Sequence, residues 1–143
     1  MTEPQPENAF AQPDPGAARR LRTHQALVRI TERHAGGEDR RRWDEHRMPM
    51  PPLDALRRVA DLASGSALPE EGVPAVDQDD LTAALTLVPW ARAEFDQLEA
   101  GLLRMSKGRG MTWQEIAFGL GLGSAQAARQ RHERLLQRAD TDI

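Results

Sequence analysis

Apolar residues recur at helical spacing through the second half of the chain. From Trp90 onward, Ala91, Phe95, Leu98, Leu102 and Met105 follow one another at intervals of 4, 3, 4 and 3. That rhythm predicts a helix carrying a continuous core stripe. Just upstream, Leu81, Ala84, Leu85, Leu87 and Val88 form a second apolar surface, with Asp79 or Asp80 suited to cap its start. Pro89 lies between the two patterns and has no backbone N–H. It therefore kinks one long helix or begins another.

The first half is patterned more thinly. Residues 1–16 hold Pro4, Pro6, Pro13 and Pro15 with few apolar side chains, and read as a disordered tail. A helix is expected from Ala17 to about His34, with Leu21, Leu27, Val28 and Ile30 on its apolar side, until Gly36-Gly37 stops it. The charged run Glu38–Arg47 contains one large apolar residue, Trp43, and Met48–Pro52 then breaks the chain. Leu53 to about Ala63 predicts a short amphipathic helix with Leu53, Leu56, Val59, Ala60 and Ala63 on one face. Ser64–Asp77, with two glycines and two prolines, reads as a linker.

The most informative stretch is Met111–Leu136, MTWQEIAFGLGLGSAQAARQRHERLL. Thr112 and Glu115 have the spacing of a capping box at the start of a helix of about eight residues, with Ile116, Ala117 and Leu120 facing inward. Gly121 suits a left-handed helix terminus, and Ser124 caps a second helix running through Leu136. The order Ile116-Ala117, Leu120-Gly121-Leu122 and a small-residue turn resembles the helix-turn-helix of bacterial regulators. The nearest variant is the promoter-reading C-terminal domain of sigma factors, and the wording also resembles small DNA-binding proteins of high-GC Gram-positive bacteria. The resemblance covers about Trp90–Leu136. Ala127 stands where the sigma pattern has a larger aliphatic, and no other sigma domain is visible, so the resemblance implies a small DNA-binding protein and not a sigma factor.

Side-chain chemistry along the second helix agrees with that expectation. Arginine can bond guanine O6 and N7 together, and glutamine adenine N6 and N7. Ser124, Gln126, Arg129, Gln130 and Arg134 are the candidates for base readout; Lys107, Arg109, Thr112 and Arg131 are the candidates for the DNA backbone.

Composition sharpens this picture. Val, Ile, Leu and Phe make up 27 of 143 residues, with 15 of the 27 after residue 76, while nine of the ten prolines come before it. A compact C-terminal domain at 77–143 is expected behind a weakly ordered helical extension and linker at 17–76. Alanine and leucine far outnumber valine, isoleucine and threonine, which favours an all-α fold. Net charge is −3, yet Arg104–Arg138 holds seven basic and two acidic residues. The chain has no cysteine, which excludes thiolate chemistry and fits a cytoplasmic, nucleoid setting; no apolar run is long enough to span a membrane.

Enzyme chemistry finds no support. The histidines (His24, His34, His46, His132) are scattered and read as surface residues with no metal pattern, and the serines sit in no nucleophile elbow. Gly119–Gly123 lacks the spacing of a nucleotide loop. Trp90 and Trp113 are expected in the core, and Arg40–Arg42 on a solvated face. The expected architecture is all-α: a helix-turn-helix domain packed on a long or kinked helix, preceded by a partly disordered helical extension. The expected function is sequence-dependent binding of double-stranded DNA as a transcription regulator or nucleoid-associated protein, without cofactor or metal, as a homodimer through Leu81–Val88. The alternative is an adaptor whose basic helices dock an acidic protein partner.

Overall fold

A computed structural model describes residues 10–12 and 14–141. Among the described residues there are six helices and no strand. None of these helices is long and apolar enough to cross a membrane. The tail expected over residues 1–16 falls mostly outside the described residues. The chain divides into two compact units, Met1–Leu87 and Val88–Ile143. The division lies inside a helix, not at the 76/77 boundary the composition suggested.

Unit 1 contains α1 (Pro15–His34), α2 (Gly37–His46), α3 (Pro52–Ser64) and the first part of α4 (Gln78–Gly108). The segment expected to be weakly ordered builds a core of its own. Leu27 and Ile30 of α1, Ala55 and Val59 of α3, and Ala83, Ala84 and Leu87 of α4 are buried together with Met50. Asp14 caps α1 by accepting from the Gly16 amide at 2.9 Å, which holds its carboxyl below the usual range. Trp43 is buried on α2, while Arg41 and Arg42 pair with Glu38 and Asp39 on its exposed side. The Met48–Pro52 break is tied down where the Met50 amide donates to Thr31 Oγ1 at 3.0 Å, in buried surroundings.

Two apolar faces differ from their expected positions. α3 begins at Pro52 and buries Pro52, Ala55 and Val59, an i, i+3, i+7 row that leaves Leu53, Ala60 and Ala63 exposed. The surface expected over Leu81–Val88 is divided. Ala84 and Leu87 enter the core, whereas Leu81 and Leu85 remain exposed.

The N-cap of α4 is Asp77, not Asp79 or Asp80. Its Oδ1 accepts from the Asp80 amide at 2.8 Å, and Asp80 Oδ2 accepts from the Asp77 amide at 3.0 Å. This reciprocal arrangement follows the logic of a capping box. Asp80 is fully buried and also receives Arg29 Nε (3.0 Å), Arg33 Nε (2.9 Å) and His34 Nε2 (2.9 Å). Burial by itself would raise the Asp80 carboxyl. The Asp77 amide, Arg33 and His34 outweigh it and hold the group well below the usual carboxylate range. His34, expected at the surface, is thereby buried.

Unit 2 comprises the rest of α4, α5 (Trp113–Leu120) and α6 (Ala125–Thr141). α4 continues as one helix through Pro89, whose missing N–H deprives the Leu85 carbonyl of its helical partner. Ala100, Leu103, Ile116, Ala117, Ala128 and Leu135 form the core, with Trp113, Leu120 and Leu122 packed against it. Three of the six core residues are alanines, so the backbones can approach closely.

The stripe read as core on α4 is mostly outside. Ala91 is buried, but Phe95 is 57%, Leu98 61%, Leu102 53% and Met105 54% exposed. The helix presents its neighbouring face inward instead. Ala100 and Leu103 join the core there, flanked by Asp96 and Glu99, which pair with Arg138 at 3.1 Å and Arg131 at 2.6 Å. Asp96, Glu99, Ala100 and Leu103 follow the i, i+3, i+4, i+7 pattern of a helix face as faithfully as the apolar stripe does. Trp90 is also outside the core, being partly exposed.

Candidate nucleic-acid interface

The local signals around α5 are present as hydrogen bonds. Thr112 Oγ1 accepts from the Glu115 amide at 3.1 Å, and Glu115 Oε1 accepts from the Thr112 amide at 3.0 Å. The Thr112 amide, and after it the Thr112 hydroxyl donating to the same oxygen, keep the Glu115 carboxyl below its ordinary range. The helix ends at Gly121 in the left-handed region (φ 72°), where a side chain would be strained. The Leu122 amide then donates to the Ala117 carbonyl at 2.8 Å, turning Leu122 toward the core. Ser124 Oγ accepts from the Ala127 amide at 3.2 Å and starts α6. A short helix, a tight turn and a longer helix are thus fixed by four consecutive local devices.

α6 buries Ala128 and Leu135, which aims the opposite side at solvent. Gln126, Gln130 and Arg134 are exposed at i, i+4 and i+8, one per turn. Arg129 is exposed on the flank of this row, its guanidinium carbon 6.0 Å from the centre of the Trp113 ring. Glu133 is exposed on the same side and is the one acidic residue among them.

Trp113 gathers further groups that the sequence left unconnected. Lys107 Nζ lies 5.1 Å from its ring centre and donates to the Met111 carbonyl at 3.1 Å. The His132 ring packs 5.6 Å from Trp113, half-buried, with Nδ1 buried and unpaired. Trp113 therefore lines up Lys107, Arg129 and His132, three residues that can carry positive charge. No local motif announces this cluster, because its members span 26 positions of sequence. Phe118 on α5 was also unassigned and is 89% exposed.

The backbone candidates divide. Arg109 is exposed in the α4–α5 turn beside Gly110 (φ 87°). Lys107 is placed by its bond to Met111 but keeps its charge at the surface. Thr112 is committed to its cap, since its hydroxyl also donates to Glu115 Oε1 at 2.9 Å. Arg131 turns toward α4, its Nε donating to Glu99 Oε1 at 2.9 Å. Thr112 and Arg131 thus each already hold a structural partner within the chain.

No family model, curated protein or solved structure matches the chain.

Arg131→Ala separates these roles. Removing it leaves the nearly buried Glu99 without its partner, and a loss of about 1–3 kcal/mol in unit 2 stability is expected by thermal denaturation. Duplex affinity, measured well below the melting temperature, should change less than about threefold if the guanidinium meets no phosphate.

Proposed function

We propose that unit 2 binds double-stranded DNA as a helix-turn-helix, with α6 in the major groove and the α4–α5 turn on the phosphate backbone. The observation that carries this reading is the exposed row Gln126, Gln130 and Arg134, with Arg129 beside it. These are side chains able to bond base edges, held on a helix whose other face is locked into a core. Lys107 and Arg109 supply charge next to that row, where phosphates would lie.

Fluorescence anisotropy of a labelled random-sequence duplex tests it across salt. With Lys107 and Arg109 as the two phosphate contacts of a module, affinity should fall roughly 12-fold between about 50 and 200 mM salt. A salt-independent signal, or none, overturns the reading. Glu133 opposes phosphate approach, or accepts from cytosine N4 at one base position. Glu133→Gln is expected to raise affinity for random duplex about two- to fivefold and to flatten the salt slope little. Unchanged affinity would place Glu133 away from the DNA.

The second reading is an adaptor that docks an acidic protein, and exposed Phe118 is the observation favouring it. An apolar side chain so far out of the core serves a protein surface better than a phosphate backbone. Phe118→Ser should leave duplex affinity unchanged under the first reading.

A further inference from the structure

Trp113 gathers more charge than a core tryptophan needs. Its indole packs against the interior of unit 2 yet stays partly exposed. Two cations from different helices meet it there. Lys107, at the end of α4, places Nζ 5.1 Å from the ring centre, and Arg129 of α6 places its guanidinium carbon at 6.0 Å. The His132 ring, one turn beyond Arg129, lies 5.6 Å from the same indole, so α6 meets it at two points. We propose that Trp113 is a positioning residue of the duplex-binding face, setting the Lys107 and Arg129 side chains in place before DNA arrives. This role rests on the helix-turn-helix reading above, in which Lys107 goes to a phosphate and Arg129 to a base edge.

Two observations carry it. The cations at Trp113 are ones the chain leaves unneutralised. Arg131 and Arg138, on the same helix as Arg129, are spent on Glu99 and Asp96. Lys107 instead donates to the Met111 carbonyl, and Arg129 has no acidic partner among the described residues. An aromatic face attracts a cation without cancelling its charge, so both stay available to an anion. Arg129 also differs from the other side chains of its row. Gln126, Gln130 and Arg134 make no side-chain hydrogen bond, ion pair or ring contact among the described residues, and DNA itself must order them. Ordering one such side chain on binding lowers affinity about two- to tenfold. For Lys107 and Arg129 the indole meets much of that cost in advance, and one ring thereby serves both the phosphate contact and the base contact.

Fluorescence anisotropy with a duplex selected for tight binding tests this role. Trp113→Leu keeps an apolar side chain toward the core but removes the aromatic face, and should weaken binding at least about fivefold. The loss should be larger for the selected duplex than for random sequence, because Arg129 is the base contact. Trp113→Phe, which keeps an aromatic face, should bind within about twofold of the unsubstituted protein. In a Lys107→Ala, Arg129→Ala background, Trp113→Leu should cost less than about twofold, since nothing is left for the ring to place. An equal loss in both backgrounds would make Trp113 a core residue only and overturn this role alone. An unsubstituted chain that binds no duplex overturns the DNA reading and this role together.

A measurement on the free, unsubstituted protein needs no variant to fold. By NMR, the Lys107 Hε and Arg129 Hδ protons are expected upfield of their ordinary positions, shielded by the indole ring. Unshifted protons would show that the two side chains are not held at Trp113, and would overturn the proposal whatever the affinities.

Discussion

Asp80→Ala is expected to lower the melting temperature of unit 1 by about 10–20 °C, corresponding to about 2–4 kcal/mol. One carboxylate receives Arg29, Arg33, His34 and the Asp77 amide, and it is itself fully buried. Removing it leaves buried His34 and two partly buried guanidiniums facing one another, and deletes half of the reciprocal cap on α4. Arg29 and Arg33 retain some access to water, which keeps the loss below that of a wholly enclosed network.

The pH dependence has a definite direction. Asp80 titrates lower in the folded chain than the ordinary unfolded value of about 3.9. Its contribution is therefore complete above that value and is lost as pH falls through it toward the folded one. Calorimetry from about pH 5 to pH 2 should show the unsubstituted protein losing stability more steeply than Asp80→Asn. Parallel curves would mean that the carboxylate charge is not what holds the cluster together.

The second large effect concerns DNA. Arg129→Ala with Arg134→Ala removes both arginines of the outward face of α6. Each bidentate base contact is worth about 1–3 kcal/mol, so the double variant should bind a preferred duplex between about 30-fold and about 20,000-fold more weakly. Its melting curve should hardly move, since neither guanidinium has an ion pair among the described residues. Selection from random duplexes supplies the preferred sequence, and anisotropy measures the loss. A variant that keeps both affinity and preference would take α6 out of the groove.

The parts of this molecule that were legible in its sequence are those governed by neighbours in sequence. Thr112 and Glu115, Gly121 and Ser124 act within three residues of their partners, so the bounds of α5 and the start of α6 could be read directly. Periodicity was less informative. Along α4 it marked an apolar stripe, but that stripe lies mostly outside the core. Ala100 and Leu103 are buried against residues of α5 and α6, beside Glu99 and Asp96, which pair with Arg131 and Arg138 over separations of 32 and 42 residues. His34 was misplaced for the same reason, its partner Asp80 being 46 residues away. The partners of Thr112 and Arg131 within the chain were likewise not all legible, because residue type shows what a side chain can bind and not what it already holds.

α4 belongs to both units, and this limits how the chain can be recombined. Composition makes Ser64–Asp77 look like the natural joint for exchanging or losing a module. A break there would strip Ala83, Ala84 and Leu87 from the interior of the first unit, together with the acid that organises its arginines. The second unit would meanwhile inherit a loose apolar turn. The true seam lies a helix-third further on, beside Pro89. The chain is least separable where it looks most so.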